Sequence, residues 1–188
     1  VPPPDHEPGP LLDKLSAVSH LDFQGFSIAS NPVAKPRMSA MVFAGLLQQN
    51  TGKPAILHIT VRDHNLLGLQ SELWGARALG IDTTIVMTGD PSSAKAQHPA
   101  ATVNDVTVFG LISLSCEAGM HTGAVLDFRP EVDGLAAEVR RLKKKVAAGG
   151  SFVVTQPVYD EGTAARIFEA TRDLEVPVAM GILPLLSS

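Results

Sequence analysis

Short runs of apolar, β-branched residues alternate along the chain with longer stretches in which apolar positions recur at helical spacing. The strand-like runs are "FQGFSIAS" (23–30), "PAILHITV" (54–61), "TTIVMT" (83–88), "GAVLDF" (123–128), "SFVVTQ" (151–156) and "PVAMGILPL" (177–185). Between them lie amphipathic segments at 11–21, 37–49, 66–80, 105–119, 135–149 and 162–174, several ending at Gly, the usual left-handed stop. Strands nearly continuous in Val, Ile, Ala and Met, separated by helices, specify a parallel sheet covered by helices or closed into a barrel. No Gly/Ser run or low-complexity linker divides them, so residues 1–188 read as one domain.

An open doubly wound sheet and a (β/α)8 barrel both satisfy this pattern. No Gly-x-Gly-x-x-Gly follows the first run, which weakens the dinucleotide-binding form of the open sheet. The barrel has support of its own. Polar clusters sit where the strand runs end: Ser30 and Asn31; His58, Thr60, Arg62 and Asp63; "TGDP" (88–91); "TQPVYD" (155–160). Functional groups of a barrel gather at the C-terminal ends of its strands, where polar side chains can be wet or ligand-paired instead of buried unpaired.

Composition narrows the function classes. With 45% hydrophobic residues in 188, the chain can bury one sizeable core. A net charge of −4 argues against a general nucleic-acid or anionic-membrane binder. The single cysteine, Cys116, excludes an internal disulfide and a multi-cysteine zinc site, and suits a reducing cytoplasm. No apolar run reaches the length of a membrane span, and "VPPPDHEPGP" lacks the parts of a signal peptide. The chain reads as cytoplasmic.

The order "HITVRDHNLLGLQSELWGARALGI", "TGDP", "LKKKVAAGGSFVVTQPVYD", "GILPL" resembles the methylenetetrahydrofolate reductase family, nearest to the reductase domains of bifunctional homocysteine S-methyltransferase/methylenetetrahydrofolate reductase proteins. The resemblance covers nearly the whole chain. It implies a (β/α)8 barrel holding FAD, which NADH or NADPH reduces and which then reduces 5,10-methylenetetrahydrofolate to 5-methyltetrahydrofolate, within one-carbon and methionine metabolism. It also implies association with, or fusion to, a homocysteine methyltransferase domain, and leaves a homo-oligomer open. The zinc of such a methyltransferase needs several cysteines, so that activity is set aside for this segment.

The resemblance assigns residues. Asp90, after the Gly89 turn, matches an aspartate near flavin and pterin, where its charge disfavours the anionic reduced flavin; without the resemblance it is equally a turn aspartate bonding its own backbone. Thr88 and Gly89 belong to the same cofactor-facing turn. Gln156, with one amide acceptor and two donors, matches the folate-contacting glutamine. Tyr159 packs against the folate or simply caps the core, and Asp160 reads as the N-cap of the next helix. His58 matches a flavin contact, against a core histidine with one satisfied nitrogen, and Ser30 stands near a hydroxyl contact. Arg62 and Asp63 pair with each other or cap the helix that begins near Asn65.

Arg140, Arg141, Lys143, Lys144 and Lys145 crowd a segment too short for them to share one face at 100° per residue. Glu138, Arg141, Lys144 and Lys145 do fall on neighbouring faces by three- and four-residue spacing. By resemblance this set holds the ribityl, ribose and pyrophosphate of FAD; otherwise it is a solvated charged face. Trp74, Met38, Met41, Phe43 and Phe168 read as core or helix-to-barrel packing, and Cys116 as a buried helix residue. His6, His20, His64, His98 and His121 group into no site, and no metal is expected.

Two departures from the family stand out. Its first-strand glutamate, the general acid, lies just before a proline cluster, and this chain begins at "VPPP"; Glu7 is a poor substitute. The eighth strand would follow "GILPLLSS". The chain therefore reads as an incomplete barrel from a longer enzyme. The competing readings are a truncated, non-catalytic folate- or flavin-binding module and an unrelated barrel enzyme such as an aldolase, which would need a strand-end lysine that the runs do not contain.

Overall fold

In a computed structural model describing residues 1–91, 100–129 and 134–184, the alternation becomes a parallel half-barrel. The strands are β1 (Phe26–Ile28), β2 (Ala55–Thr60), β3 (Thr83–Met87), β4 (His121–Leu126), β5 (Phe152–Pro157) and β6 (Val178–Gly181). The helices are α1 (Gly9–Val18), α2 (Ala40–Thr51), α3 (Leu66–Ala78), α4 (Val108–Glu117), α5 (Gly134–Ala147) and α6 (Glu161–Thr171), with a 3-10 turn at Pro32–Ala34. The strands lie in the order β1-β2-β3-β4-β5-β6, every pair parallel. A doubly wound sheet reverses its strand order at a switch point; this one never does, as expected of an incomplete (β/α)8 barrel.

Burial alternates along β5 and most of β2 and separates two faces of the sheet. Leu57, Ile59, Val86, Ala124, Leu126 and Val153 are buried against the helices, together with Phe43, Leu69, Leu73, Leu111, Ile112 and Leu142. The helix-facing layer also contains one buried hydroxyl chain: Ser115 of α4 bonds Thr84 of β3 at 2.8 Å and Thr122 of β4 at 2.8 Å. Each hydroxyl is thereby satisfied away from water. The opposite, concave face carries Ser27, His58, Met87, Val125, Val154 and Gln156 and is only partly covered.

Helix starts follow their caps. Ser39, Asn65, Thr107 and Asp160 each accept from a backbone N–H of the first turn, at Val42, Gly68, Gly110 and Thr163. Caps explain why α2 and α4 begin later than their amphipathic patterns suggest. The first apolar run shrinks to Phe26–Ile28 because Phe23 lies outside the sheet, edge-on to Phe26 at 4.9 Å and under the Lys53 ammonium. Leu185, at the end of the last apolar run, and His98 lie outside the described residues.

Three packing expectations are corrected. Trp74 is 65% and Phe168 69% exposed, on the outer sides of α3 and α6, although Phe43 is buried and Met38 and Met41 pack against the core. Cys116 is exposed, one position beyond the buried Ser115. A barrel helix shows water a full outer side, and helical spacing alone does not tell that side from the inner one. Among the described residues no helix is long and apolar enough to cross a membrane.

Candidate functional site

The concave face and the strand ends enclose a cavity of about 550 Å³. Its floor is apolar, from Ile85 and Met87 of β3, Val125 of β4 and Val154 of β5. On this floor His58 Nε2 lies 2.7 Å from Ser27 Oγ, so the imidazole orientation is set by a hydroxyl on the neighbouring strand. Burial disfavours its charged form and lowers the His58 pKa to about 4. The imidazole is neutral at physiological pH.

One wall is the turn after β3. Gly89 has φ +86°, and a Cβ there would lie 3.1 Å from Thr60 Cβ and 3.2 Å from Arg62 Cβ. The positive φ favours glycine, and a side chain would crowd Thr60 and Arg62. The turn presents Asp90, whose Oδ2 accepts from Val33 N at 2.9 Å across the mouth. Arg62, buried beneath, donates to the Asp90 carbonyl at 2.9 Å and forms a two-pronged pair with Asp63 at 2.6 and 2.8 Å. Burial pushes the Asp63 carboxyl up, but hydrogen bonds from Arg62 and Asn31, the Arg62 charge and the Thr60 hydroxyl outweigh it and hold the group below its ordinary value.

The opposite wall is α5 and the segment after β4. Glu138 accepts from Arg141 Nη1 at 2.8 Å and from Lys145 Nζ at 3.5 Å; Lys145 also donates to the Val125 carbonyl at 2.8 Å. The i, i+3, i+7 spacing brings the three onto one side of the helix. Arg129 donates from Nε to Asp127 Oδ1 at 2.7 Å, and that bond holds the Asp127 carboxyl below its usual range.

His58, Thr88, Gly89, Asp90, Glu138, Arg141, Lys145 and Gln156, expected from widely separated segments, all line this cavity. Ser30 instead lines an adjoining hollow of about 310 Å³ with Asn31 and Arg37, and His58 borders both spaces. Lys144 is exposed and Tyr159 is 59% exposed, and neither is part of the cavity wall. Asp160 caps α6. Sequence reasoning missed Ser27, Phe109, Asp127 and Arg129 as lining residues, while Thr155, read as part of the polar end of its strand, does line the cavity. The signal for Asp127 and Arg129 was present: "LDFR" is another polar strand end. Ser27 needed the inward-outward register of β1, which a strand of only three residues does not reveal. Among the described residues no group of three His, Cys, Asp or Glu could hold a metal ion.

Among solved structures, a Clostridium thermocellum protein that binds two copies of 5-methyl-5,6,7,8-tetrahydrofolic acid superposes with TM-score 0.65 at 15% identity, over 95% of this chain and 62% of that one. A phosphonopyruvate hydrolase superposes with TM-score 0.63 at 17% identity, over 91% and 63%. Such likenesses show the fold alone. In sequence, the chain is 24% identical over 181 residues to 5,10-methylenetetrahydrofolate reductase of Salmonella typhimurium, covering 93% of this chain and 57% of that protein. It is 24% identical over 170 residues to a probable methylenetetrahydrofolate reductase (NADPH) of Caenorhabditis elegans, covering 82% and 24%. The chain thus spans little more than half of one relative and a quarter of the other. The family model for methylenetetrahydrofolate reductase matches residues 2–188, and the chain belongs to that family.

Proposed function

We propose that this chain forms the six-stranded part of the barrel of a flavin-dependent reductase that converts 5,10-methylenetetrahydrofolate, NAD(P)H and a proton to 5-methyltetrahydrofolate and NAD(P)+. The observation that carries the reading is the convergence of Asp90, Gln156 and the Glu138–Arg141–Lys145 set on one cavity. Family membership supports it, as does the folate-binding structural neighbour.

The residues present fit FAD. The apolar floor suits the face of a flat ring system, and the cations of α5 and the β4 segment suit a diphosphate arm. Lys145 and Arg141 would hold the phosphates, and Glu138 would accept from sugar hydroxyls. When bound, FAD supplies the hydride-carrying chemistry between nicotinamide and folate. Everything else falls to side chains. His58, being neutral, adds no positive charge beside the ring system. The Asp90 carboxylate accepts from the amino groups of a pterin, and the Gln156 amide pairs with its mixed donor and acceptor edge. The floor of Ile85, Met87, Val125 and Val154 excludes water from the reacting faces. Lys144 and Tyr159 have no part in this arrangement.

The test is the visible spectrum of the purified protein. A flavin spectrum that bleaches anaerobically with NADH or NADPH and recolours on addition of 5,10-methylenetetrahydrofolate is expected. A protein that takes up no flavin, or one whose reduced flavin ignores the folate, overturns the reading.

A further inference from the structure

The "VRDHN" segment has no role in the chemistry above, yet it holds a buried charge whose guanidinium is engaged on every side. Arg62 is 6% exposed. Its Nε and Nη2 donate to Asp63, its Nη1 to the Asp90 carbonyl, and its Nη2 also to the Asn31 carbonyl at 3.3 Å. Its own carbonyl accepts from Val103 N at 3.0 Å. One residue thus ties together the segments that follow β1, β2 and β3.

Asp63 completes the unit by accepting from Asn31 Nδ2 and Thr60 Oγ1, each at 3.2 Å. The segment after β1 is strained: Asn31, Val33 and Ala34 have φ of 39°, 50° and 54°, a region costly to non-glycine residues and most costly to β-branched valine. That conformation aims the Val33 N–H at the Asp90 carboxylate. Buried ion pairs are poor general stabilisers, because desolvation consumes most of their attraction. Both carbonyls that Arg62 reaches belong to segments framing the mouth.

We propose that Arg62, oriented by Asp63, is the positioning residue for Asp90, fixing both the backbone of the Gly89–Asp90 turn and the strained segment whose Val33 N–H holds the Asp90 carboxylate. Lysine cannot replace it, since one ammonium cannot grip a carboxylate with two prongs while reaching two carbonyls. What Asp90 then does for the folate rests on the proposed function; the positioning does not.

The test is Arg62→Lys in the flavin-loaded protein, with two readouts. Amide exchange at Val33 should accelerate about tenfold, the cost of losing one well-held hydrogen bond. Reoxidation of reduced flavin by 5,10-methylenetetrahydrofolate should slow by about 30- to 100-fold, as for a group displaced by roughly an ångström. Flavin reduction by NADH should stay within about threefold. If the unsubstituted protein shows no flavin turnover, the proposed function fails and the exchange readout alone decides the positioning. Unchanged Val33 exchange in a folded variant overturns the proposal, as does an equal loss in both half-reactions, which a merely structural role would produce. Should Arg62→Lys fail to fold, Asp63→Asn, which keeps the cation and loses the charge that orients it, is judged by the same outcomes.

Discussion

At the ends of β2 and β3 a guanidinium 6% exposed is enclosed by Asp63, Asn31 and Asp90, whereas on α5 the Arg141 side chain is 49% exposed and reaches a carboxylate from the rim. Both clusters border the same cavity region, and they are built on different terms. The Arg62 guanidinium gives its hydrogen bonds to the Asp63 carboxylate and to neighbouring backbone and is itself closed to a ligand. The α5 cluster keeps a cation at the surface, where a phosphate can reach it. The contrast separates charges that position from charges that bind, although a sequence shows both simply as Arg and Lys near acids.

Substitutions can break the contrast. Arg62→Met should have the largest effect, destabilising the fold by about 3 kcal/mol because Asp63 and two carbonyls lose their partner; urea unfolding at neutral pH measures it. The acid limb sharpens the same point. The folded-state pKa of Asp63 is depressed, so its contribution to stability is fully present above the unfolded carboxylate value of about 3.9 and is lost as pH falls through the lower folded value. Unfolding midpoints recorded between neutral and acidic pH should show this loss in the parent protein and a shallower one in Arg62→Met.

Lys145→Met comes next, at about 2 kcal/mol, since it strips a donor from the Val125 carbonyl and from the buried Glu138; it should also weaken flavin retention, read by titrating apoprotein with FAD. Arg141→Ala should cost under about 1 kcal/mol of stability, yet weaken FAD binding by about tenfold in the same titration. Arg172→Ala, which breaks an exposed pair with Glu169 far along α6, should change the thermal midpoint by no more than about 0.5 kcal/mol of stability allows and sets the baseline. A stability loss for Arg141→Ala as large as that for Arg62→Met would erase the distinction between the clusters.

Much of this was legible in the chain. Each apolar run overlaps a strand because parallel strands buried among helices need continuous β-branched sequence, although β4 starts two residues before its run and β5 ends one beyond its own, and Gly89 marked a tight turn whose positive φ favours glycine. Asp160 was legible as a cap because capping acts over a few residues, whereas the cap of α3 is Asn65 and not Arg62 or Asp63, which pair with each other. Less legible was the facing of side chains. Lys144 and Lys145 are adjacent and equally basic, and only the packing of α5 on β4 sends Lys145 to the Val125 carbonyl and leaves Lys144 in water. Ser27 and Ser30 differ by three positions, which a short strand and a left-handed turn convert into separate cavities.

By itself the sequence determined the alternation of strand and helix, the polar strand ends and the family, because these are carried by local periodicity and by residue types at set spacings. Tertiary structure decided which charges meet. The Arg62 bonds to Asn31 and Asp90 span 31 and 28 positions, and that of Lys145 to Val125 spans 20. Such encounters depend on strand register and helix docking, which arise from packing the whole sheet and from no single segment of it.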